Sequence, residues 1–419
     1  MKIRLLFLFV RKFNLFLEQY LQLLIKIRHN EEVLARFARY EGESMEKLQL
    51  KHYVIEAMKL EGIGWHSIEF MLKHNMFFQK QWSVEQIIEL GLKKQNAVRL
   101  YQFLQQYTYP SIDELREKEA KMPFEAISIW DEHYPEPLKH IAQPPWVLFA
   151  KGRVQLLKRE AIAIVGTRYP TTYGIRCTKQ FSEQFSQAGI TVVSGFANGI
   201  DTIAHKHAVL QEASTIAVLP SAILHCYPAN NFALYEQLAE EGLLLSESMK
   251  STPIHPGQFH QRNRIIAGLS CATIIVEGEK KSGSMITARH AMDMDRELFA
   301  VPGSIYSNKS EGPNFLIEKG YARMLLSSQQ LFEELSWLKN DVNRYEDTLT
   351  EASQMAQQQE HTLTEEEQAI YTFIKEQSRS INEIHEHTLI PFGHLNVLLL
   401  NLCIKQFIKL QPGSIYHAL

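Results

Sequence analysis

Short apolar runs rich in β-branched residues punctuate the middle of the chain at 161–165, 190–194, 215–219, 243–246, 272–276, 298–301 and 324–326. Stretches with apolar residues at helical spacing separate them. Strands buried on both faces read as unbroken apolar runs, whereas half-exposed strands alternate. The pattern predicts an α/β fold on a doubly wound parallel sheet. In such a sheet the turns after successive strands gather along one edge, however far apart they lie in sequence. Ahead of it, Tyr134-Pro135-Glu136-Pro137-Leu138 and Gln143-Pro144-Pro145-Trp146 predict an extended segment, with 146–150 as a lead-in strand.

Outside this region the pattern turns helical. Residues 1–110 carry periodic apolar positions and few β-branched runs. Met45 would serve as a domain start, which divides an apolar helical extension, 1–44, from a helical domain, 45–110. Leu60-Glu61-Gly62-Ile63-Gly64-Trp65 is a tight turn between two helical patterns, similar to the hairpin of helix-hairpin-helix modules that offer backbone N–H groups to DNA phosphates. It occurs once, and a plain helix–helix connector is the favoured reading. The sheet domain spans 111–330, and 331–362 shifts to Glu, Asp and Gln as a linker. Within 363–419, Thr364-Glu365-Glu366-Glu367 caps a helix, 380–387 and 391–403 give two more, and a hairpin flanks Gln411-Pro412-Gly413. Three helices and a hairpin make the winged variant of the helix-turn-helix.

Composition narrows the function classes. Lys and Arg total 44 against 47 Asp and Glu, a net charge of −3, so any polyanion site is a local patch against an acidic remainder. The four cysteines lie far apart with no C-x-x-C pair, which points to a reducing compartment and to neither zinc nor a disulfide framework. Arg11, Lys12, Glu18 and Lys26 interrupt the apolar N-terminal segment, so it falls short of the roughly 20 apolar residues of a spanning helix. It also lacks the small-residue cleavage site of a signal peptide. A cytoplasmic protein without a membrane partner is expected. Walker A, G-x-G-x-x-G, G-x-S-x-G and H-E-x-x-H patterns are absent, so no catalytic residues, cofactor or metal are expected.

What the sheet region offers is a series of small and basic residues after its strands. Gly166, Thr167 and Arg168 follow the first run; Ser194, Gly195, Asn198 and Gly199 follow the second; Lys280, Lys281, Gly283 and Ser284 follow the run at 272–276. Small residues let backbone N–H groups approach a phosphate, and the planar fork of Arg168 can hold one at two points. Gly283-Ser284 also reads as a simple N-cap. In Phe259-His260-Gln261-Arg262-Asn263-Arg264-Ile265-Ile266, helical spacing puts Arg262 and Asn263 on a polar face over a groove and the isoleucines on the sheet. Arg262 serves equally well as a structural partner for the sheet edge. Phe259 can stack on a base or belong to the core, and the core is favoured. Asp201 and His205 could form an acid–base pair; an N-cap Asp and a packed His are favoured, since no nucleophile lies nearby in sequence.

The ordered series Ile164-Val165-Gly166-Thr167-Arg168, Ser194-Gly195-Phe196-Ala197-Asn198-Gly199-Ile200-Asp201, Arg262-Asn263-Arg264-Ile265-Ile266-Ala267-Gly268-Leu269-Ser270, Val276-Glu277, Ser282-Gly283-Ser284-Met285-Ile286-Thr287-Ala288 and Val301-Pro302-Gly303 resembles the bacterial DNA-processing protein A family, DprA or Smf. Upstream, Tyr134-Pro135 and Pro144-Pro145 match as well. The resemblance covers about 45–330 and the terminal winged helix. It implies an extended Rossmann-like domain, a SAM/helix-hairpin-helix-like N-terminal domain, and a binding protein rather than an enzyme. Members bind single-stranded DNA, form homodimers, and load the RecA recombinase on DNA taken up in natural transformation. Carried over, Arg168, the 194–199 turn, Arg262, Asn263 and Gly283-Ser284 become DNA contacts. One departure matters: Asn198 stands where the family commonly has Arg, which removes a cation.

Two other classes fit parts of the chain. A Rossmann-like enzyme that cleaves nucleoside monophosphates would need a carboxylate at the phosphate site, and Asp201 or Glu277 would supply it. A transcription regulator would read duplex DNA through 391–403, but that helix carries His394 and Asn396 and no Arg or Lys, which suits a protein contact better.

Overall fold

The computed structural model describes residues 47–76, 81–249, 254–335, 363–405, 407–411 and 415–418, in two compact units that divide between Asp341 and Val342. The extension expected at 1–44 lies outside the described residues, as does the linker expected at 331–362 from residue 336 on; its first five residues are described, and Leu331, Phe332 and Leu335 among them are buried in the first unit.

The first unit opens with helices α1 (Lys47–Met58), α2 (Trp65–Lys73), α3 (Val84–Glu89), α4 (Lys94–Gln106) and α5 (Ile112–Ala120). Ser83 and Ser111 start α3 and α5 through reciprocal capping boxes with Gln86 and Glu114. Between α1 and α2, Gly62 takes a φ of 78°, a conformation that favours glycine. Asn96 and Arg99 of α4 donate to the Gly62 and Glu61 carbonyls, each at 2.8 Å. The glycine turn is thus tied into its own helical layer.

The sheet follows: β1 (Glu125–Ser128), α6 (Glu136–Lys139), β2 (Val147–Gly152), β3 (Ala161–Val165), α7 (Thr172–Gln187), β4 (Thr191–Ser194), α8 (Ile200–Ala208), β5 (Thr215–Leu219), α9 (Phe232–Glu241), β6 (Leu243–Ser246), α10 (Pro256–Leu269), β7 (Ala272–Ile275), α11 (Gly283–Asp293), β8 (Glu297–Ala300), α12 (Glu311–Glu318), β9 (Arg323–Met324) and α13 (Ser328–Glu334). Its strands lie in the order β1-β2-β6-β5-β4-β3-β7-β8-β9. From β6 to β9 neighbours pair parallel, because helices cross between them. The lead-in strand, β2, instead runs antiparallel to β6, and β1 antiparallel to β2. The sheet is therefore mixed, with a two-strand antiparallel margin beyond the predicted parallel core. Ile162, Ala163 and Ile164 of β3 have no exposed surface, as expected of a central strand.

The strand order sets the site. The chain runs outward from β3 through β4 and β5 to β6, then returns over α10 to β7 on the other side of β3. Neighbouring loops leave in opposite directions there, so a crevice opens outside the carboxyl ends of β3 and β7.

The second unit contains α14 (Glu365–Glu376), β10 (Arg379–Ser380), α15 (Ile381–Thr388), α16 (Phe392–Ile404), β11 (Ile408–Gln411) and β12 (Ile415–Ala418). Thr364 and Glu367 form the predicted capping box. The hairpin gains a third strand, in the order β10-β12-β11. Its core is built on Ile370, Ile374, Ile384, Leu395, Leu399 and Leu402. Among the described residues, no helix is long and apolar enough to cross a membrane.

Candidate nucleic-acid interface

The chain leaves β3 at Gly166 and β4 at Gly195, and the two loops pack on each other. Gly199, at φ 85°, lies so near the Thr167–Arg168 peptide that a Cβ there would stand 2.3 Å from the Thr167 carbonyl oxygen. The Ile200 N–H donates to that oxygen at 3.1 Å, and a Cβ on Gly166 would meet Ile200 at 2.6 Å. Loop-on-loop packing thus demands these glycines, whatever ligand approaches. It leaves Arg168 exposed at the rim, its guanidinium 5.3 Å from the ring centroid of Phe259 on α10. Tyr227, from the loop after β5, meets Phe259 edge-on at 5.9 Å. Phe259 is half-buried under a cation; the favoured reading had it in the core. Asn198 is exposed, and its Oδ1 accepts from Asn230 at 3.1 Å.

Other residues expected to face the groove support it from behind. Arg262 is 6% exposed, and its Nη1 donates to the Gly195 and Val218 carbonyls at the ends of β4 and β5. Its Nε donates to Asn263 Oδ1 at 3.1 Å, and Asn263 Nδ2 donates to the Gly283 carbonyl at 3.3 Å. The polar face of α10 therefore meets strand-end carbonyls that need donors. Burial lowers the Arg262 pKa to about 10, with Asp201 opposing. Ser194 is also fully buried, its hydroxyl donating to the Ile164 carbonyl at 2.6 Å. Gly195 is buried where a Cβ would stand 2.6 Å from Asp201 Oδ2 and 2.7 Å from Arg262 Nη2. Arg264 is buried too, and pairs with Glu247.

The carboxylates of the enzyme reading are already engaged. Gly199, not Asp201, is the N-cap of α8. Asp201 lies in the first helical turn and folds back toward the Gly195 and Ala197 N–H groups and Arg262. Glu277 is 2% exposed and holds the start of α7, accepting from Thr171 N at 2.9 Å and Thr171 Oγ1 at 2.5 Å. His205 is packed, wholly buried and bonded to Thr215.

The third loop reaches the same crevice only in part. Gly283 opens α11 with nothing within 4 Å of a built Cβ, and the Ser282 and Ser284 hydroxyls share a hydrogen bond at 2.8 Å. Lys281 is exposed. Lys280 turns toward α12, 3.7 Å from Glu311 and 5.3 Å from the Phe315 ring centroid. It does not join the Arg168–Phe259 cluster. Three rim tyrosines escaped the sequence reading: Tyr169, Tyr227 and Tyr306, exposed in the loops after β3, β5 and β8. Their positions just beyond predicted strands were the available signal. Lys309 ties two of these loops by donating to the Tyr169 carbonyl.

Comparison with known proteins places the sheet region. The family model described as DNA recombination-mediator protein A matches residues 125–336. The DNA processing protein DprA of Bacillus subtilis is 40% identical over 228 residues, 54% of this chain and 76% of its own length. The DprA of Streptococcus pneumoniae is 31% identical over 290 residues, 69% of this chain and all of its own. An X-ray structure of S. pneumoniae DprA superposes with a TM-score of 0.57 at 32% identity, covering 67% of this chain and 97% of that one.

Proposed function

The chain belongs to the DNA recombination-mediator protein A family, whose members act in DNA processing and recombination and are not enzymes, and from that premise we propose that it binds single-stranded DNA along the carboxyl edge of the sheet. One observation carries the reading: an exposed guanidinium, Arg168, lies against a half-buried ring, Phe259, beside the loops that follow β4 and β5 at the carboxyl edge of the sheet. Unpaired nucleic acid is held by that combination, a cation on the backbone and a π-face for the bases. The proposed contacts are Arg168, the backbone of Gly166, Thr167 and Gly199, then Asn198, Phe259, Lys281 and Gly283; Ser284, also expected there, is 6% exposed and bonded to Ser282. Ser194, Gly195, Arg262 and Asn263 hold those groups in place, while Arg264 pairs with Glu247 behind them. Lys280 contributes charge from the flank.

The family resemblance extends the proposal to a homodimer that protects incoming DNA and loads a RecA-type recombinase on it in natural transformation. The nucleotide-cleaving alternative loses support, because Asp201 and Glu277 are committed to the loops and helix that build the rim.

A salt titration tests the core claim. Wild type should prefer single- to double-stranded oligonucleotides, with affinity falling steeply as salt rises. Arg168→Ala should weaken binding for every sequence and reduce the salt slope by about 1. An unchanged slope would remove Arg168 from the interface.

A further inference from the structure

Helix α16 is apolar on both sides. Leu395, Leu398, Leu399 and Leu402 belong to the core of the second unit. On the opposite side come Gly393, Val397, Leu400 and Ile404, four, three and four residues apart, the spacing with which one helix packs along another. Val397 is 54% exposed, Leu400 60%, and Phe392 at the start of the helix 44%. A helix that is apolar all round is ordinarily covered all round, yet among the described residues nothing covers this side. Just ahead of it Leu389, at a φ of 55°, is 81% exposed. That left-handed conformation suits Gly or Asn at a helix end, so the chain sets a large apolar side chain on the surface at a cost in backbone strain.

Charge selects the occupant. Residues flanking a seam between two helices choose the partner through their charges, and like charges set face to face repel. The flanks here are His394, Asn396, Asn401 and Cys403, and His394 is already paired with Glu366 of α14 at 2.9 Å. Among the described residues, α16 is the one α-helix without Asp, Glu, Lys or Arg. A charged amphipathic helix would find no counter-ion beside this seam, whereas a second α16 brings no charge that needs one. A two-fold axis lets a single self-complementary patch serve both copies. The patch is small against the roughly 800 Å² per partner of a stable standard interface, so the pairing is weak and grows with protein concentration.

We propose that the outer face of α16 pairs with the same face of a second copy of this chain. The contact does not depend on the strand site proposed above. Leu400→Cys in the full-length protein, on a Cys403→Ser background and treated with a short bismaleimide, tests it. A covalent dimer joined at position 400 is expected. Its yield should rise with protein concentration and stand well above that of Ala369→Cys on the same background, at an exposed position of α14. Adding Gly393→Glu should cut the yield by about fivefold, because two like charges then enter the seam. A Cβ at Gly393 meets nothing within 4 Å, and an acidic residue in the first turn favours the helix, so the unit keeps its fold. Val397→Asp, also at an exposed position, should act in the same direction. A yield no higher than that of Ala369→Cys, or one that both charged variants leave unchanged, would overturn the pairing. Links from position 400 to peptides of the first unit would overturn a second α16 as the occupant.

Discussion

His205 lies behind the β4 loop with no exposed surface. Thr215 gives its hydroxyl proton to the Val192 carbonyl at 2.6 Å, so it accepts from His205 Nδ1 at 2.7 Å. The imidazole is thereby fixed as the Nδ1–H tautomer, with Nε2 unpartnered. Burial, reinforced by the Arg262 charge, pulls its pKa from 6.5 to about 3. Burial pushes Asp201 the other way, from 3.8 to about 6, against Arg262 and the Ala197 and Gly195 N–H groups. The two groups have opposite linkage. The histidine contributes stability that is complete above pH 6.5 and fades as pH falls toward 3, since the unfolded chain takes the proton first. The carboxyl contributes stability that is complete below pH 3.8 and fades as pH rises through 6. In wild type the terms largely offset each other across that window. His205→Leu removes one of them. Between about pH 7 and about pH 4.5 the variant should gain on wild type by about 2–3 kcal/mol in urea unfolding. Parallel pH curves for the two proteins would mean that His205 is not held neutral.

At the level of elements, the joint between β7 and α7 does the positioning. Thr171 accepts from Gly174 N at 3.2 Å while its own N–H and hydroxyl donate to Glu277. A carboxylate from the end of one strand thus closes the positive end of a helix that follows its neighbour. Glu277→Gln keeps the shape but loses the charge and one acceptor. It should cost about 1–2 kcal/mol in urea unfolding and leave oligonucleotide affinity within a factor of about two, since the side chain lies beneath the rim. A large loss of affinity at unchanged stability would place Glu277 in the interface. The elements also show what a sequence can reveal. β3, β5 and β6 begin and end where their apolar runs do, because burial on both faces leaves one signal. β1 and β10 were not legible: four and two residues long, they owe their existence to partners distant in sequence, β2 and β12. The glycine turns were readable, but the reason for them was not. Periodicity separates polar from apolar faces; it cannot distinguish Arg168, which meets solvent, from Arg262, which meets strand-end carbonyls.

At the scale of the whole chain, a net charge of −3 gives no general attraction to DNA, so the proposed binding has to come from a local patch. The first unit holds the rim. The second has its own core, built on Ile370, Ile384, Leu395 and Leu402, yet α16 carries no Lys or Arg, and Phe392, Val397 and Leu400 on it are exposed. Groove-reading helices grip phosphate and guanine with basic side chains, and this helix offers none. A fragment of residues 363–419 should therefore melt cooperatively by circular dichroism and bind neither duplex nor single strand. The complementary fragment 1–341 should keep the single-strand affinity of the intact protein within about twofold, and its salt slope unchanged, because that slope counts only the phosphates neutralised at the rim. Duplex binding by 363–419 would make the second unit a DNA reader. A shallower slope for 1–341 would mean that cations from both units share the strand.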